Sequence, residues 1–380
     1  MKRDWGIYVH IPFCRKKCLY CDFASFAGAE EEIPSYMDAL CRELKMVLPK
    51  ATNLYGAPQT LYIGGGTPSL LPIREIEKVF LATYEFAPRE NFSEITVEGN
   101  PESLTSEKLA AYREFGANRL SVGVQSFNDR LLQIIGRVHS GKDAVLAVEN
   151  AKQAGFFNIS VDIIYALPEE TLKDLKRDLA TAAGLNIPHI SVYGLTAEEG
   201  TPLHKRLQKG EIMLPSEDDE EAMYDLVANF LPSRGFNRYE VSNYAKPGFE
   251  SKHNSLYWRY APYAGAGLSA SGFLLGERYK NTSDLTEYVE KLSRGESVGE
   301  KEPRSQKDAI FEFVFLGLRT SNGVSKEGFQ KEFDIELESL YGKKIESLAR
   351  QNLVVSDSKS LRLTKPGVKI GNMIFAEFIL

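Results

Sequence analysis

Cysteine is scarce in this chain, four residues in 380, and that excludes a secreted fold stapled by disulfides. Basic excess is absent too. Lys and Arg number 46 against 52 Asp and Glu, a formal net charge of −6, so the charge balance gives no sign of a nucleic-acid partner. The opening MKRDWGIYVHIP lacks the apolar core of a signal peptide, and no run of about 18 apolar residues is present to cross a membrane. A cytoplasmic protein is predicted, without membrane insertion and at most peripheral to a membrane. The 43% hydrophobic content and the length provide for one large domain and a smaller one. The acidic clusters Glu30–Glu32 and Glu217–Glu221 read as solvated loop and helix-start charges, because carboxylates favour the first turn of a helix.

Three of the four cysteines stand together, Cys14, Cys18 and Cys21, in the run IYVHIPFCRKKCLYCDF. Thiolates are the usual ligands of iron–sulfur clusters, and an all-structural cluster normally recruits a fourth cysteine. Three can hold three irons of a four-iron cluster and leave one iron open to a small molecule. Zinc commonly takes four ligands from paired C-x-x-C knuckles, and only one such pair exists here. Cys41 has no companion, lies in a helical stretch, and reads as a small buried apolar residue.

Short β-branched or aromatic runs alternate with helical patterns, the signature of βαβ units and a parallel sheet. Six strands are predicted: Gly6–Ile11, Thr60–Ile63, Glu94–Glu98, Arg119–Val124, Ser160–Ile164 and His189–Tyr193. Helices are predicted near 34–48, 73–86, 105–115, 142–154 and 169–183. An open doubly wound sheet would accommodate these elements. A partial six-stranded β/α barrel is favoured, because polar or glycine-rich motifs follow successive strands as active-site loops do at the carboxyl end of a barrel. They are the cysteine loop, then Gly64, Gly65, Gly66, Thr67 and Pro68, then Glu98 in VEGNP, then Gln125 and Asp162.

Each motif has a plainer alternative. IGGGTP could be a tight turn, since glycine admits positive φ without steric cost. Three glycines also strip away side chains, which would let the ammonium and carboxylate of an amino acid approach backbone amides. Glu98 and Asp162 could be exposed strand-end carboxylates, but Asp162 in the apolar run VDIIYALP needs a partner if buried, and a ligand hydroxyl would serve. Arg137 in IGRVHS reads, taken alone, as a surface arginine.

Together these motifs resemble a family. YVHIP, the C-x-x-x-C-x-x-C loop with an aromatic before its last cysteine, GGGTP, SVGVQSF and the D-I-I-Y-x-L-P run, in this order, are similar to radical S-adenosylmethionine (radical SAM) proteins of the oxygen-independent coproporphyrinogen III oxidase group. The resemblance runs from about residue 6 to the C-terminus. It implies a 4Fe-4S cluster on Cys14, Cys18 and Cys21, with S-adenosylmethionine chelating the open iron. It also implies that Tyr8, Gly65, Gly66, Thr67, Glu98, Gln125, Arg137 and Asp162 surround that cofactor, with Arg137 on its carboxylate and Asp162 on ribose hydroxyls. On this view a side chain at Gly66 would occupy the ligand's approach.

Two departures separate the chain from the oxidase. The oxidase motif continues to a fourth cysteine where Phe23 stands, and it has an extension before YVHIP where this chain has seven residues before Tyr8. HNSLYW, His253 to Trp258, resembles the H-N-x-x-Y-W motif of the haem-chaperone branch of the group. Its plainer reading is a structural aromatic turn with a core or capping histidine. The resemblance implies a haem chaperone that delivers haem to apo-haem proteins such as respiratory cytochromes, with His253 as a haem-iron ligand and a monomer or cluster-dependent homodimer as the assembly. The alternative is the oxidase itself, a coproporphyrinogen dehydrogenase of porphyrin biosynthesis using a 5′-deoxyadenosyl radical.

Three domains are predicted: a barrel over 1–195, an extension over 196–300 carrying HNSLYW, and a winged-helix-like domain over 301–380. In the extension a helix is expected near 217–231 and a strand near Arg238–Val241. Ala264–Gly272 would admit a flat ligand or close packing. A linker is expected at Gly295–Arg304, then helices near 306–318, 325–333 and 336–350, strands Leu353–Val355 and Leu361–Leu363, and a terminal helix. No basic stripe marks the last domain for DNA, which favours an interaction or lid role.

Overall fold

Period-two alternation in six strands sets the architecture. In the computed structural model, which describes residues 4–380, these strands are β1 (Gly6–Ile11), β2 (Thr60–Gly65), β3 (Glu94–Gly99), β4 (Arg119–Gln125), β5 (Asn158–Tyr165) and β6 (His189–Gly194). They pair in sequence order and in parallel. Successive side chains of a strand point to opposite faces. One face carries Ile7, Val9, Leu61, Ile63, Ile95, Val97, Leu120, Val122, Ile159, Val161, Ile190 and Val192, all buried in the main core under the helices. The other carries Thr60, Tyr62, Glu94, Thr96, Glu98, Arg119, Ser121, Ser160, Asp162, His189 and Ser191. Parallel strands are usually apolar on both faces, so this polar face must find its partners inside the fold.

Helices Ile33–Tyr55, Ile73–Tyr84, Ser106–Phe115, Gly141–Gln153 and Leu172–Gly184 follow β1 to β5 in turn, and the first runs past Pro49, beyond its expected end. Reciprocal capping boxes, Ser140 with Asp143 and Thr171 with Asp174, fix where two of them start. The six strands curl. Laid flat, β1 and β6 would stand about 24 Å apart at roughly 4.8 Å per step, yet Cys14 after β1 and Tyr193 on β6 line the same cavity. The curl stops short of closure, giving the partial six-stranded barrel expected from the motif positions. Beyond β6 the sheet continues through Asn243–Ala245 and Asn237–Glu240. Beyond β1 it continues through Tyr263–Ala266, Ser271–Leu274, Glu277–Asn281 and Gly299–Lys301.

Two expectations are corrected here. Part of the predicted linker, Gly299–Lys301, is an edge strand paired with Glu277–Asn281, so that segment is folded. HNSLYW is not a turn but a short helix, Lys252–Trp258, whose N-cap Ser251 accepts from the Asn254 amide. The helix and strand expected near 217–231 and 238–241 are Glu217–Ser233 and Asn237–Glu240.

The C-terminal segment has its own core around Val314, Phe329, Tyr341 and Phe378. Helices Gln306–Leu318, Lys326–Phe333 and Leu337–Arg350 precede a small sheet of Val324–Ser325, Ser360–Leu363 and Val354–Ser356, followed by two short helices. This is the winged-helix-like order expected.

Candidate functional site

The carboxyl ends of the six strands open into a cavity of about 400 Å³. Cys14, Cys18, Cys21, Gly65, Gly66, Thr67, Glu98, Gln125, Arg137 and Asp162 all line it. Of the residues that the resemblance assigns to cluster, cofactor or haem, Tyr8 and His253 do not.

The cysteine loop is held from several sides. Phe13–Cys14 bridges to Phe26–Ala27, the Leu19 amide donates to Ile135 O at 3.1 Å, and Leu19 O accepts from Leu203 N at 2.8 Å. Thr67 Oγ1 donates to Cys14 Sγ at 3.5 Å, and Arg137 Nη1 donates to Cys18 Sγ at 3.4 Å. Asn100 closes the ring between them, giving its Nδ2 hydrogen to Thr67 Oγ1 at 3.2 Å and accepting from Arg137 Nη2 at 2.9 Å. Hydrogen bonds to cluster sulfurs are among the levers that set a cluster's potential. Arg137 is therefore no surface arginine. Gly136, at φ +79°, turns the chain after helix Asp129–Ile134 so that the guanidinium also reaches Gly123 O at 2.6 Å.

Among the described residues no three His, Cys, Asp or Glu side chains converge on a single-ion site. The three cysteines line one cavity with no fourth thiol, one ligand short of a closed tetrahedral zinc site and matching three irons of a four-iron cluster. The residues present thus fit a 4Fe-4S group better than zinc.

The glycine turn has a steric cause of its own. A Cβ at Gly64 would lie 2.8 Å from the Tyr62 ring and 2.9 Å from the Glu98 carboxyl. Gly65 adopts φ +114°, and its Cβ would meet His10 at 2.7 Å. At Gly66 a Cβ would meet Phe13 O at 2.8 Å and Cys14 Sγ at 3.0 Å. Nor are the amides on offer, since Gly65 N donates to Glu98 Oε2 at 3.1 Å and Gly66 N to Ile11 O at 2.7 Å. Glycine here lets the turn pass the cysteine loop.

Glu98 accepts from the Tyr62 hydroxyl at 2.5 Å as well as from Gly65, and burial pushes its carboxyl up to about 7. Asp162 accepts from Ser121 Oγ at 3.2 Å and Ser160 Oγ at 3.4 Å, and burial raises it too. Gln125 is aimed into the cavity by a register shift between β4 and β5 and by its own positive φ of 68°.

Tyr8 sits behind the cavity. Its hydroxyl bonds His10 Nδ1 at 2.9 Å, and His10 Nε2 bonds Ala24 O at 2.8 Å, tying β1 to the segment after the cysteines. His253 is fully buried, with Nδ1 on Thr60 Oγ1 at 2.7 Å and Nε2 on the Tyr257 hydroxyl at 2.8 Å. Burial lowers its pKa to about 3. Both ring nitrogens are hydrogen-bonded, so as packed His253 is a core histidine. Cys41 lies apart, its thiol facing Lys78 O at 3.6 Å.

Asn100, Thr60, Tyr62, Glu94, Arg119 and His189 are functional neighbours that the motifs alone do not mark. For the strand residues among them the signal is the alternation of aliphatic with polar side chains, whereas Asn100 follows the end of β3 and has no such signal.

Two family models match the chain, the Radical SAM superfamily over residues 8–182 and the HemN C-terminal domain over residues 305–370. The chain is 40% identical over 380 residues to the Lactococcus lactis protein named heme chaperone HemW, covering 100% of this chain and 98% of that one. It is 37% identical over 376 residues to the Bacillus subtilis protein of the same name, covering 98% of each. Among solved structures, Escherichia coli coproporphyrinogen III oxidase HemN superposes with a TM-score of 0.81 over 100% of this chain and 90% of that one, at 23% identity, a likeness of fold. No described helix is long and apolar enough to cross a membrane. With 40% and 37% identity extending over nearly the whole chain to two HemW proteins and a radical SAM domain around the cysteine loop, the chain belongs to the HemW family of radical SAM proteins.

Proposed function

We propose that this protein is a haem chaperone that binds haem and passes it to apo-haem proteins, respiratory cytochromes among them, and that its cavity holds a 4Fe-4S cluster and S-adenosylmethionine. The observation that carries this reading is the 40% identity, over the full length, to a protein named heme chaperone HemW.

Cys14, Cys18 and Cys21 would hold the cluster, and the remaining iron would take the methionyl end of S-adenosylmethionine. When bound and reduced, that pair supplies one-electron chemistry at the sulfonium. The residues orient it. Arg137, already bound to Cys18 and Asn100, presents a cation for a carboxylate, and Asp162 suits ribose hydroxyls. Thr67 and Arg137 hold the two sulfurs they touch.

Phe23 stands where the oxidase carries a fourth motif cysteine, and it is 64% exposed beside the cavity mouth. Haem binding, on this reading, falls to a surface other than the committed imidazole of His253. An equilibrium haem titration run beside an anaerobic coproporphyrinogen turnover assay tests the proposal. Stoichiometric haem binding without turnover is expected, and turnover without haem binding would reverse it.

A further inference from the structure

The HNSLYW helix and the cofactor cavity occupy opposite ends of the polar sheet face. The helix meets Gly6, Thr60 and Glu94, the first residues of β1, β2 and β3, whereas the cavity lies beyond their carboxyl ends. Glu94 pins the helix start by accepting from Lys252 N and His253 N at 2.9 Å each and from Ser251 Oγ at 3.4 Å. A Cβ at Gly6 would come within 2.3 Å of Thr60 Oγ1 and 3.0 Å of His253 Nδ1, so the fit is tight.

Two routes of contact cross the interior from this helix. In the first, His253 bonds Thr60 and lies against the Tyr62 ring, centroids 5.2 Å apart, and the Tyr62 hydroxyl donates to Glu98. In the second, Ser251 N donates to the Tyr239 hydroxyl at 3.1 Å, and that hydroxyl bonds His189 Nε2 at 2.7 Å. His189 Nδ1 then bonds Ser160 Oγ at 2.7 Å, and Ser160 donates to Asp162. Between the routes lies Arg119, 1% exposed, with Nε and Nη1 lacking hydrogen-bond partners among the described residues.

The three ring-bearing residues of the motif all serve these routes. His253 starts the first, Tyr257 fixes its Nε2 from one turn on, and the Trp258 ring meets Tyr239 edge-on at 5.7 Å. We propose that the HNSLYW helix is a positioning element for the S-adenosylmethionine site, holding Glu98 through Tyr62 and Asp162 through Tyr239, His189 and Ser160. This rests on the reading of the cavity given above. In the second route linked buried hydrogen bonds fix each member through the next, and in the first the hydrogen bond to Thr60 seats the His253 ring against Tyr62, which is how a helix that touches no ligand can set carboxylates at the far end of a barrel.

The test uses the full chain with its cluster reconstituted anaerobically, titrated with S-adenosylmethionine while the electron paramagnetic resonance of the reduced cluster is followed. Tyr239→Phe removes one hydroxyl from the second route, and a dissociation constant raised about fivefold at unchanged cluster content is expected. Thr60→Val, nearly isosteric, makes the same test on the first route. Tyr84→Phe is the control, because it deletes a hydroxyl bonded to Phe115 O at 2.6 Å in the outer helical layer, and it should leave the constant unchanged. Wild-type affinity in both route variants would overturn the proposal, as would an equal loss in Tyr84→Phe. A wild-type cluster that ignores the cofactor would instead overturn the reading of the cavity itself.

Discussion

Cys14, Cys18 and Cys21 have no substitute near the cavity, so Ala at any one of them should abolish the visible absorbance of the reconstituted cluster. Cys41→Ala should leave it intact, since burial pushes that thiol up to about 11 and its nearest polar contact is Lys78 O. A cluster lost with Cys41 would refute the open-iron site. His253 makes a second prediction. Its pKa falls from 6.5 to about 3 in the fold, so the unfolded chain takes up a proton below about pH 6.5 that the folded chain refuses until about 3. The stability it contributes is whole above that window and is lost as pH falls through it. His253→Gln, which cannot titrate, should flatten this part of the thermal-unfolding profile between about pH 4 and 7 and leave the Soret band of bound haem in place. A displaced Soret band at unchanged stability would restore His253 as a haem ligand.

At the scale of elements, Gly66→Val tests the meaning of the glycine turn. Were the turn bare only to admit a ligand, the variant would keep its cluster and lose the cofactor's spectral effect. Because a Cβ there meets Phe13 O and Cys14 Sγ, iron content itself should fall, measured after anaerobic reconstitution. The existence of the turn was legible in the sequence, as were the six strands, because apolar runs alternated with helical periodicity. Its steric reason was not, since it depends on the approach of residues 13 and 14, some fifty positions away in the chain. HNSLYW shows the same divide. Its aromatic character was plain, but the sequence alone could not say whether His253 faces a ligand or Thr60, a choice made by how the helix seats against β1 to β3. The edge strand Gly299–Lys301 has no signature in the sequence, because its residues are polar and its pairing partner supplies the order.

At the scale of the molecule, two polar latches fasten the C-terminal winged-helix-like segment to the sheet. Glu240, 1% exposed, accepts from Arg319 Nε at 2.9 Å and Nη2 at 2.6 Å, and Glu312 bonds Arg278 and Arg304. Arg319→Ala removes the partner of Glu240 Oε1, while Oε2 keeps the Ser242 amide and Asn243 Nδ2, and should cost about 1–3 kcal/mol in urea unfolding. A cost under about 1 kcal/mol would mean the latch is solvent-screened. The separate core of this segment followed from its helical periodicity, whereas the latches join residues some eighty and thirty positions apart and carry no local signature. The claim most exposed to experiment is haem delivery by the whole chain. Haem-loaded protein, with its cluster reconstituted, should restore the absorbance spectrum of an apo-cytochrome faster than free haem at the same concentration. No transfer, together with anaerobic conversion of coproporphyrinogen to protoporphyrinogen by the same preparation, would contradict the account.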